Sequence, residues 1–259
     1  MKSKMVDIHP EARIAENVSI GSFVTISADV EIGEGTWIAP NVTIMDGARI
    51  GRNCRIFPGA VISAIPQDLK FDGEKTFAYV GDNTTIRECA TVNRGTAASG
   101  KTVVGNNCLL MAYSHVAHDC VVGDNVILAN SVALGGHVVL GDWVVMGGLS
   151  AAHQFVHIGD HVMLAAGCIT TKDIPPYVTA GGSTVSYMGI NSIGLRRRGF
   201  ASQTIDAIQD VYRILYMSGK NVTNAIEAVI DTLPVSDERE RIVSFVKSST
   251  RGIIRSGLR

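Results

Sequence analysis

Three of the seven histidines, His118, His137 and His153, recur at similar intervals along the chain. A neutral imidazole near its ordinary pKa can take the proton of a hydroxyl, and a neighbouring carboxylate can fix which ring nitrogen carries the hydrogen. Asp119 directly follows His118 and is a candidate for that orienting role, although a turn residue is an equal reading of it. Gln154 follows His153 and completes a group of polar side chains that could act on one substrate. Such a group exists only if the chain is wound so that residues at that interval become neighbours.

The sequence contains that winding. Isoleucine stands at positions 8, 14, 20, 26, 32, 38, 44, 50, 56 and 62, and the same phase continues through Val80, Ile86, Val92, Val104, Leu110, Val116, Val122, Leu128, Leu134, Leu140, Met146, Ile158 and Leu164. Four residues after most anchors comes a second small or β-branched residue, such as Val18, Val24, Thr36 or Val126, which predicts a second inward register. Glycine often follows the anchor directly (Gly21, Gly33, Gly51, Gly81), which suggests corners requiring unusual backbone angles. A period of six fits neither a helix nor an alternating strand. It fits a three-sided parallel β-helix with three hexads, roughly 18 residues, in each coil. Residues 8–170 would give roughly nine coils and, at ~4.8 Å per strand, a column on the order of 45 Å long. In that geometry His118, His137, His153 and Gln154 share one edge, on three successive coils. Solvated surface histidines are the competing reading of the same spacing, and the spacing alone leaves both open.

Two stretches break the pattern. Between Ile62 and Val80 the anchor positions hold Asp68 and Glu74, which an apolar core cannot accept unpaired, so segment 63–79 is expected to leave the wall at least in part. Segment 93–102, with Arg94, Gly95 and Gly100, is expected to be a second excursion. Loops thrown from a rigid scaffold often build sites. After Ile-Pro-Pro-Tyr at 174–177 the pattern turns helical: a helix over 203–218 capped by Ser202 and stopped by Gly219, then helices over 223–233 and 236–248, placed to cover the open end of the column. The expected domains are therefore a repeat column over 1–175 and a helical domain over 176–259.

Composition limits the alternatives. With 46% apolar residues the chain is globular. Residues 1–170 carry 11 basic and 16 acidic side chains and residues 171–259 carry 12 and 8, so an anionic partner is expected at the C-terminal end. The stretch Met1–Arg13 lacks the apolar run of a signal peptide, and 137–152 is too short and too interrupted to span a membrane. Five cysteines form no CxxC pair; Cys54, Cys108, Cys120 and Cys168 fall on the small inward position and read as core, while Cys89 falls outside it. A soluble protein of the reducing cytoplasm is expected, with no nucleic-acid partner and no stable membrane insertion.

Longer motifs then coincide with this frame. Gln67–Lys70 (QDLK), Ile86–Arg94 (IRECATVNR), His115–Cys120 (HVAHDC), Leu128–Asn130, Gly136–His137, Ala152–Phe155 (AHQF), His161–Met163, Asp173–Val178 (DIPPYV), Leu195–Phe200 (LRRRGF) and Ser248–Arg255 together resemble the bacterial UDP-N-acetylglucosamine O-acyltransferases, the enzymes that open lipid A biosynthesis. The resemblance implies a homotrimer of left-handed parallel β-helices, against the usual right-handed crossover, with active sites between columns. It implies transfer of a 3-hydroxyacyl group from acyl carrier protein to the 3-hydroxyl of UDP-N-acetylglucosamine. No cofactor is bound by the enzyme, since the acyl group rides on the carrier's phosphopantetheine.

By the same resemblance His118 is the general base, Asp119 orients it, and the backbone N–H of Gly136 stabilises the oxyanion. Asp68, Lys70, His115, His137, His153 and Gln154 match positions around sugar, nucleotide and acyl chain, and Asn191 matches a nucleotide-side position. Arg197 and Arg198 match arginines near the nucleotide phosphates and the carrier, which suits a guanidinium. An acyl-length gauge matches Met163–Ala166, and the small Ala166 would admit a long chain. The chain departs from the family at Ile193 and Thr184, where relatives carry Glu and His.

Three rivals remain at this level. The N-acyltransferase of the same pathway shares the hexads but carries a further domain ahead of them. A β-helix carbonic anhydrase would use His115, His118 and His137 as zinc ligands, although an odd step between 115 and 118 should turn their side chains apart. A non-enzymatic binding scaffold is the third.

Overall fold

The computed structural model describes residues 5–257, so residues 1–4 of the stretch Met1–Arg13, and 258–259 of the tail, lie outside it. Short strands, mostly of two residues, build three sheets of nine, eight and eleven strands among the described residues, parallel except for one antiparallel pair at the C-terminal end of the third. Each strand pairs with the strand one coil above it. His115 faces Ala133, Val121 faces Val139 and Ile127 faces Val145, each partner three hexads further along the chain.

The six-step ladder is the core. From Ile20 onward the anchors are buried, with Ile38, Ile44, Ile56, Ile62, Ile86 and Leu110 all at 0% exposure. Ile8 and Ile14 are only half-buried, since no described coil lies beneath theirs to cover them. The second register is buried as well, including Val18, Val24, Val42, Cys54 and Val126. Cys54, Cys108, Cys120 and Cys168 are buried in it, and burial raises the thiol of Cys120 to about 12 and that of Cys108 to about 11, which leaves these two unreactive. Cys89 is exposed at a corner.

The glycines after the anchors have a different cause from the one their position suggested. None of Gly21, Gly33, Gly51 and Gly81 has a positive φ. A Cβ on Gly81 would lie 2.6 Å from the carbonyl carbon of Gly105, and one on Gly21 2.6 Å from the nitrogen of Pro40, so the demand is for close approach of successive coils. Left-handed backbone falls two residues later in the hexad, on Asn41, Asn83, Tyr113, Asp119, His137, Leu149, Phe155 and His161. These residues form the corners, and their side chains leave the column.

Both excursions insert whole hexads. Across the first, Val61 pairs with Thr91, five hexads on; across the second, Thr91 pairs with His115, four hexads on. An uninterrupted coil takes three, so the insertions are two hexads and one, and the ladder's phase survives both. Strands Val61–Ala64 and Phe77–Val80 claim the two ends of the first stretch, and Thr91–Asn93 and Lys101–Val104 bracket the second. The two loops brace one another. Ala97 donates its N–H to Glu74 Oε1 (2.9 Å), Asn93 Nδ2 donates to the carbonyl of Ile65 (3.1 Å), and the Arg94 guanidinium lies 5.4 Å over Phe71.

At the C-terminal end Val178–Gly181 extends the third sheet, Ser186–Ile190 pairs antiparallel to it, and Arg255–Ser256 adds at the edge. Four helices follow the column: α1 (Ser192–Arg197), α2 (Ser202–Met217), α3 (Val222–Thr232) and α4 (Asp237–Ser248). Helix α2 lies on these last strands, where its Tyr212 is fully buried, stacks on Tyr187 at 5.4 Å and donates to the carbonyl of Pro176 (2.5 Å). Ser202 is not the cap expected of it: Ala201 holds that place without a side-chain hydrogen bond, and Ser202 is already helical. Just before the helix, Phe200 packs edge-on against His161 and Tyr177. Helices α3 and α4 are capped by Asn221 and Ser236, and helix α1 appears where no helix was expected. No helix of the described residues is long and apolar enough to cross a membrane.

Replacing Ile26 with Ala should cost ~2–5 kcal/mol of stability through the lost transfer energy and residual cavity. The same change at its exposed neighbour Thr25 should stay within ~0.5 kcal/mol. Denaturant unfolding of the two variants side by side checks the contrast.

Candidate active site

The corner between the first and second sheets collects the expected base and its partners. Residues 117–120, 135–138 and 153–156 turn this corner on successive coils, so His118, His137, His153 and Gln154 share one edge. His137 donates its backbone N–H to the carbonyl of His118 (3.1 Å), and Phe155 donates to that of Gly136 (3.0 Å). Both excursions leave the column at this same corner.

Asp119 is the fixed point of the cluster. Its φ of 60° sends the side chain out of the turn, yet the carboxylate is wholly buried. Oδ2 meets His118 Nδ1 at 2.8 Å and lies 3.7 Å from His137 Nε2. The remaining valences are filled by the second excursion: Thr96 gives its N–H to Oδ1 (3.0 Å) and its hydroxyl to Oδ2 (2.7 Å), and the Ser99 hydroxyl also reaches Oδ1. Thr102 Oγ1 accepts the backbone N–H of Asp119 itself (2.8 Å). Burial pushes this carboxyl up, but the hydrogen bonds from Ser99, His118 and Thr96 outweigh it and hold its pKa below the usual value.

With Nδ1 paired to Asp119, Nε2 is the nitrogen of the His118 ring left without a partner among the described residues; only 15% of the side chain is exposed. The ring lies against Gly136. A Cβ there would come within 2.5 Å of Cε1 and 2.7 Å of Nε2, so the absence of a side chain makes room for the imidazole. The N–H of Gly136 finds no acceptor among the described residues. His137 meets His118 edge-on, ring centres 5.3 Å apart. The ring stacked on His137 is Phe155 (4.5 Å, 10°), not His153. His153 sits two residues earlier on its coil, exposed, with Nδ1 3.5 Å from Arg251 of the C-terminal tail. Gln154 beside it is also exposed.

His115 lies one strand position before the corner, with Nδ1 2.7 Å from Thr91 Oγ1. Burial lowers its pKa, and the nearby His118 adds to this. His115, His118 and His137 do not gather as a zinc site would require. The group of possible ligands that does converge is His118, Asp119 and His137, within 4.8 Å of one another, and the donors of Thr96 and Ser99 already occupy the Asp119 oxygens.

The other expected residues stand elsewhere. Asp68 and Lys70 occupy the first excursion, where Asp68 Oδ1 accepts the Lys70 N–H (3.0 Å) within a turn. Met163 lies on the third sheet and Ala166 is exposed at the corner between the third and first sheets. Asn191 caps helix α1 and donates to the carbonyl of His161 (2.9 Å). Arg198 spreads over the corner between the second and third sheets: its guanidinium is 5.1 Å over Trp143, Nη1 donates to His161 Nδ1 (3.3 Å) and Nη2 to the carbonyl of Trp143 (3.1 Å). Arg197 is exposed beside it. In one chain Asp68 and Lys70 thus leave the column at the corner of His118, whereas Ala166, Asn191, Arg197 and Arg198 lie at other corners. Sequence reasoning missed Thr91, Thr96, Ser99, Thr102 and Phe155. Thr96 and Ser99 sit in the stretch marked as an excursion, but coil spacing cannot pair an inserted loop with its neighbours.

Residues 173–254 match the family model for UDP-N-acetylglucosamine O-acyltransferase, domain 2, and residues 29–64 and 101–136 match the bacterial transferase hexapeptide (six repeats). The acyl-[acyl-carrier-protein]–UDP-N-acetylglucosamine O-acyltransferase of Stenotrophomonas maltophilia (strain R551-3) is 42% identical over 250 residues, 96% of this chain and 95% of that protein. This chain belongs to that family. Among solved structures, the UDP-N-acetylglucosamine acyltransferase of Francisella novicida superposes with a TM-score of 0.96 at 37% identity, covering 100% of this chain and 95% of that one. The enzyme from Bacteroides fragilis is 49% identical with a TM-score of 0.85, over 98% and 100% of the two chains. The UDP-N-acetylglucosamine O-acyltransferase fold is therefore matched along the whole chain, helices included.

His161 supplies a direct test of the packing at the corner between the second and third sheets. Burial, with the Arg198 charge adding to it, lowers its pKa to about 4. Because the folded value lies below the unfolded ~6.5, this residue withdraws stability as pH falls from about 6.5 towards about 4 and contributes no loss above that window. Imidazole ¹⁵N titration should find the ring neutral down to roughly pH 5, and Arg198→Ala should raise the midpoint. A midpoint near 6.5 in the unaltered protein would contradict this packing.

Proposed function

We propose that this chain transfers a (R)-3-hydroxyacyl group from acyl carrier protein to the 3-hydroxyl of UDP-N-acetylglucosamine, the first step of lipid A biosynthesis, with His118 as general base. The observation that carries the mechanism is the His118–Asp119 pair at 2.8 Å, set against Gly136 and its unclaimed N–H.

The steps follow from those atoms. Nε2 of His118 takes the proton of the sugar hydroxyl as its oxygen attacks the thioester carbonyl. The Gly136 N–H donates to the oxyanion that forms. Collapse breaks the carbon–sulfur bond, and the departing phosphopantetheine sulfur receives the proton from His118. Asp119 keeps the hydrogen on Nδ1 and favours the transient imidazolium, as a buried, hydrogen-bonded carboxylate does. No acyl-enzyme forms, so the buried thiols have no part in it, and the acyl group's only carrier is the phosphopantetheine. Those free buried thiols suit a cytoplasmic protein.

The same reading takes the assembly to be a homotrimer of left-handed columns, and one physical ground favours more than one column. Asn191 and Arg198 stand at one corner, Ala166 at a second and His118 at a third. A sugar nucleotide and an acyl chain can meet all of them only where the corner of one column faces another corner of a neighbour. In that cleft Asp68, Lys70, His115, His137, His153 and Gln154 line the His118 side, Asn191, Arg197 and Arg198 take the nucleotide and the carrier, and Met163 and Ala166 bound the acyl chain.

Incubation with UDP-N-acetylglucosamine and 3-hydroxyacyl carrier protein should yield the 3-O-acylated sugar nucleotide. His118→Ala should lower turnover by roughly 10²-fold or more with its oligomeric state intact. Undiminished turnover in that variant would refute the base assignment.

A further inference from the structure

The second excursion has no place in the six-step ladder, yet it supplies every side-chain hydroxyl that meets the Asp119 carboxylate. We propose that Thr96 is a positioning residue for the reaction: it clamps that carboxylate so that Oδ2 faces His118 Nδ1, and so governs the base through its orienting partner. The proposal rests on the reading of His118 as base.

Thr96 touches both oxygens of one carboxylate, its N–H on Oδ1 (3.0 Å) and its hydroxyl on Oδ2 (2.7 Å). Two donors on two oxygens fix the plane of the group as well as its place. The hydroxyl's direction is itself determined, because Thr96 Oγ1 accepts the N–H of Ala98 (3.2 Å) and its single hydrogen is left for Asp119. Ser99 is less committed, since its hydroxyl lies within reach of both Asp119 and the carbonyl of Lys101 (2.9 Å). The loop that carries Thr96 is anchored to the column by Gly95 N–H to the carbonyl of Phe77 (3.1 Å) and closed by Gly100 N–H to the carbonyl of Thr96 (2.8 Å). Thr96 is buried, so water does not replace its hydroxyl freely.

Oδ2 accepts from both Thr96 and His118, and the two donors share its charge. Without the Thr96 hydroxyl the carboxylate stabilises the His118 imidazolium more strongly and holds the ring less firmly in line. The acid limb of the kcat profile then moves to higher pH, and kcat falls at its plateau while substrate binding is untouched.

The test is a double-mutant cycle on the full-length enzyme, with Thr96→Val, Thr96→Ser and Asp119→Ala each in the wild-type background, Thr96→Val combined with Asp119→Ala, and His118→Ala as a separate arm. Thr96→Val should lower kcat about tenfold, the scale of a lost hydrogen bond to a charged group. KM for the sugar nucleotide should be unchanged and the acid limb shifted upward. Thr96→Ser should restore kcat to within about twofold, and Thr96→Val should cost nothing further once Asp119 is Ala. Should Thr96→Val fail to fold, Thr96→Ala enters the same cycle. A tenfold loss that persists in the Asp119→Ala background, a rise in KM in place of the fall in kcat, or failure of Thr96→Ser to rescue would overturn the proposal. If His118→Ala is inactive while that loss persists, the positioning role alone falls; if His118→Ala turns over normally, the base reading falls and takes this one with it.

Discussion

Every coil of this column must present its backbone to the next in unchanged register, because each short strand has hydrogen-bond partners only above and below. Bonds such as His115 N–H to the carbonyl of Val132 (2.8 Å) and Val121 N–H to that of Val138 (3.0 Å) repeat from coil to coil. A slip of one residue would turn an isoleucine outward and a corner side chain inward. That constraint explains why the chain departs from the ladder only in multiples of six and why glycine stands where successive coils come closest.

The same constraint makes the site. A rigid stack fixes side chains at corner positions to within the spacing of strands, and the left-handed corner residue points away from the core. Asp119 and His137 hold that position on adjacent coils, with His118 just before Asp119. The stack alone leaves a carboxylate that needs donors, and the second excursion provides them through Thr96 and Ser99. The scaffold therefore supplies spacing and the loop supplies hydrogen bonding. Neither would hold the His118 ring against a fixed carboxylate by itself.

Much of this is legible in the residues. The six-step ladder carries the fold, since ten isoleucines at one interval have a single packing solution, and spacing by one coil puts His118 and His137 on one edge. The same spacing misleads at His153, because two residues of offset within a turn carry a side chain to a different direction, and Phe155 takes the stacked place. It cannot find Thr96, since inserted loops pair by tertiary contact and have no period. The glycines are visible in the repeat, but their cause is not: what they relieve is a shortage of space between coils. Motif resemblance supplies what no periodicity could, namely the proposed roles of Gly136, Asn191 and Arg198. Arg198 is engaged with Trp143 and His161 in the single chain, a contact that the RRR run does not reveal.

In the proposed mechanism Asp119 keeps the hydrogen on Nδ1 of His118 and leaves Nε2 bare to accept a proton. Site-resolved ¹⁵N spectroscopy of the His118 ring at neutral pH reads this directly. A protonated Nδ1 and an unprotonated Nε2 are expected. The opposite tautomer, or a ring exchanging freely between the two, would contradict the account.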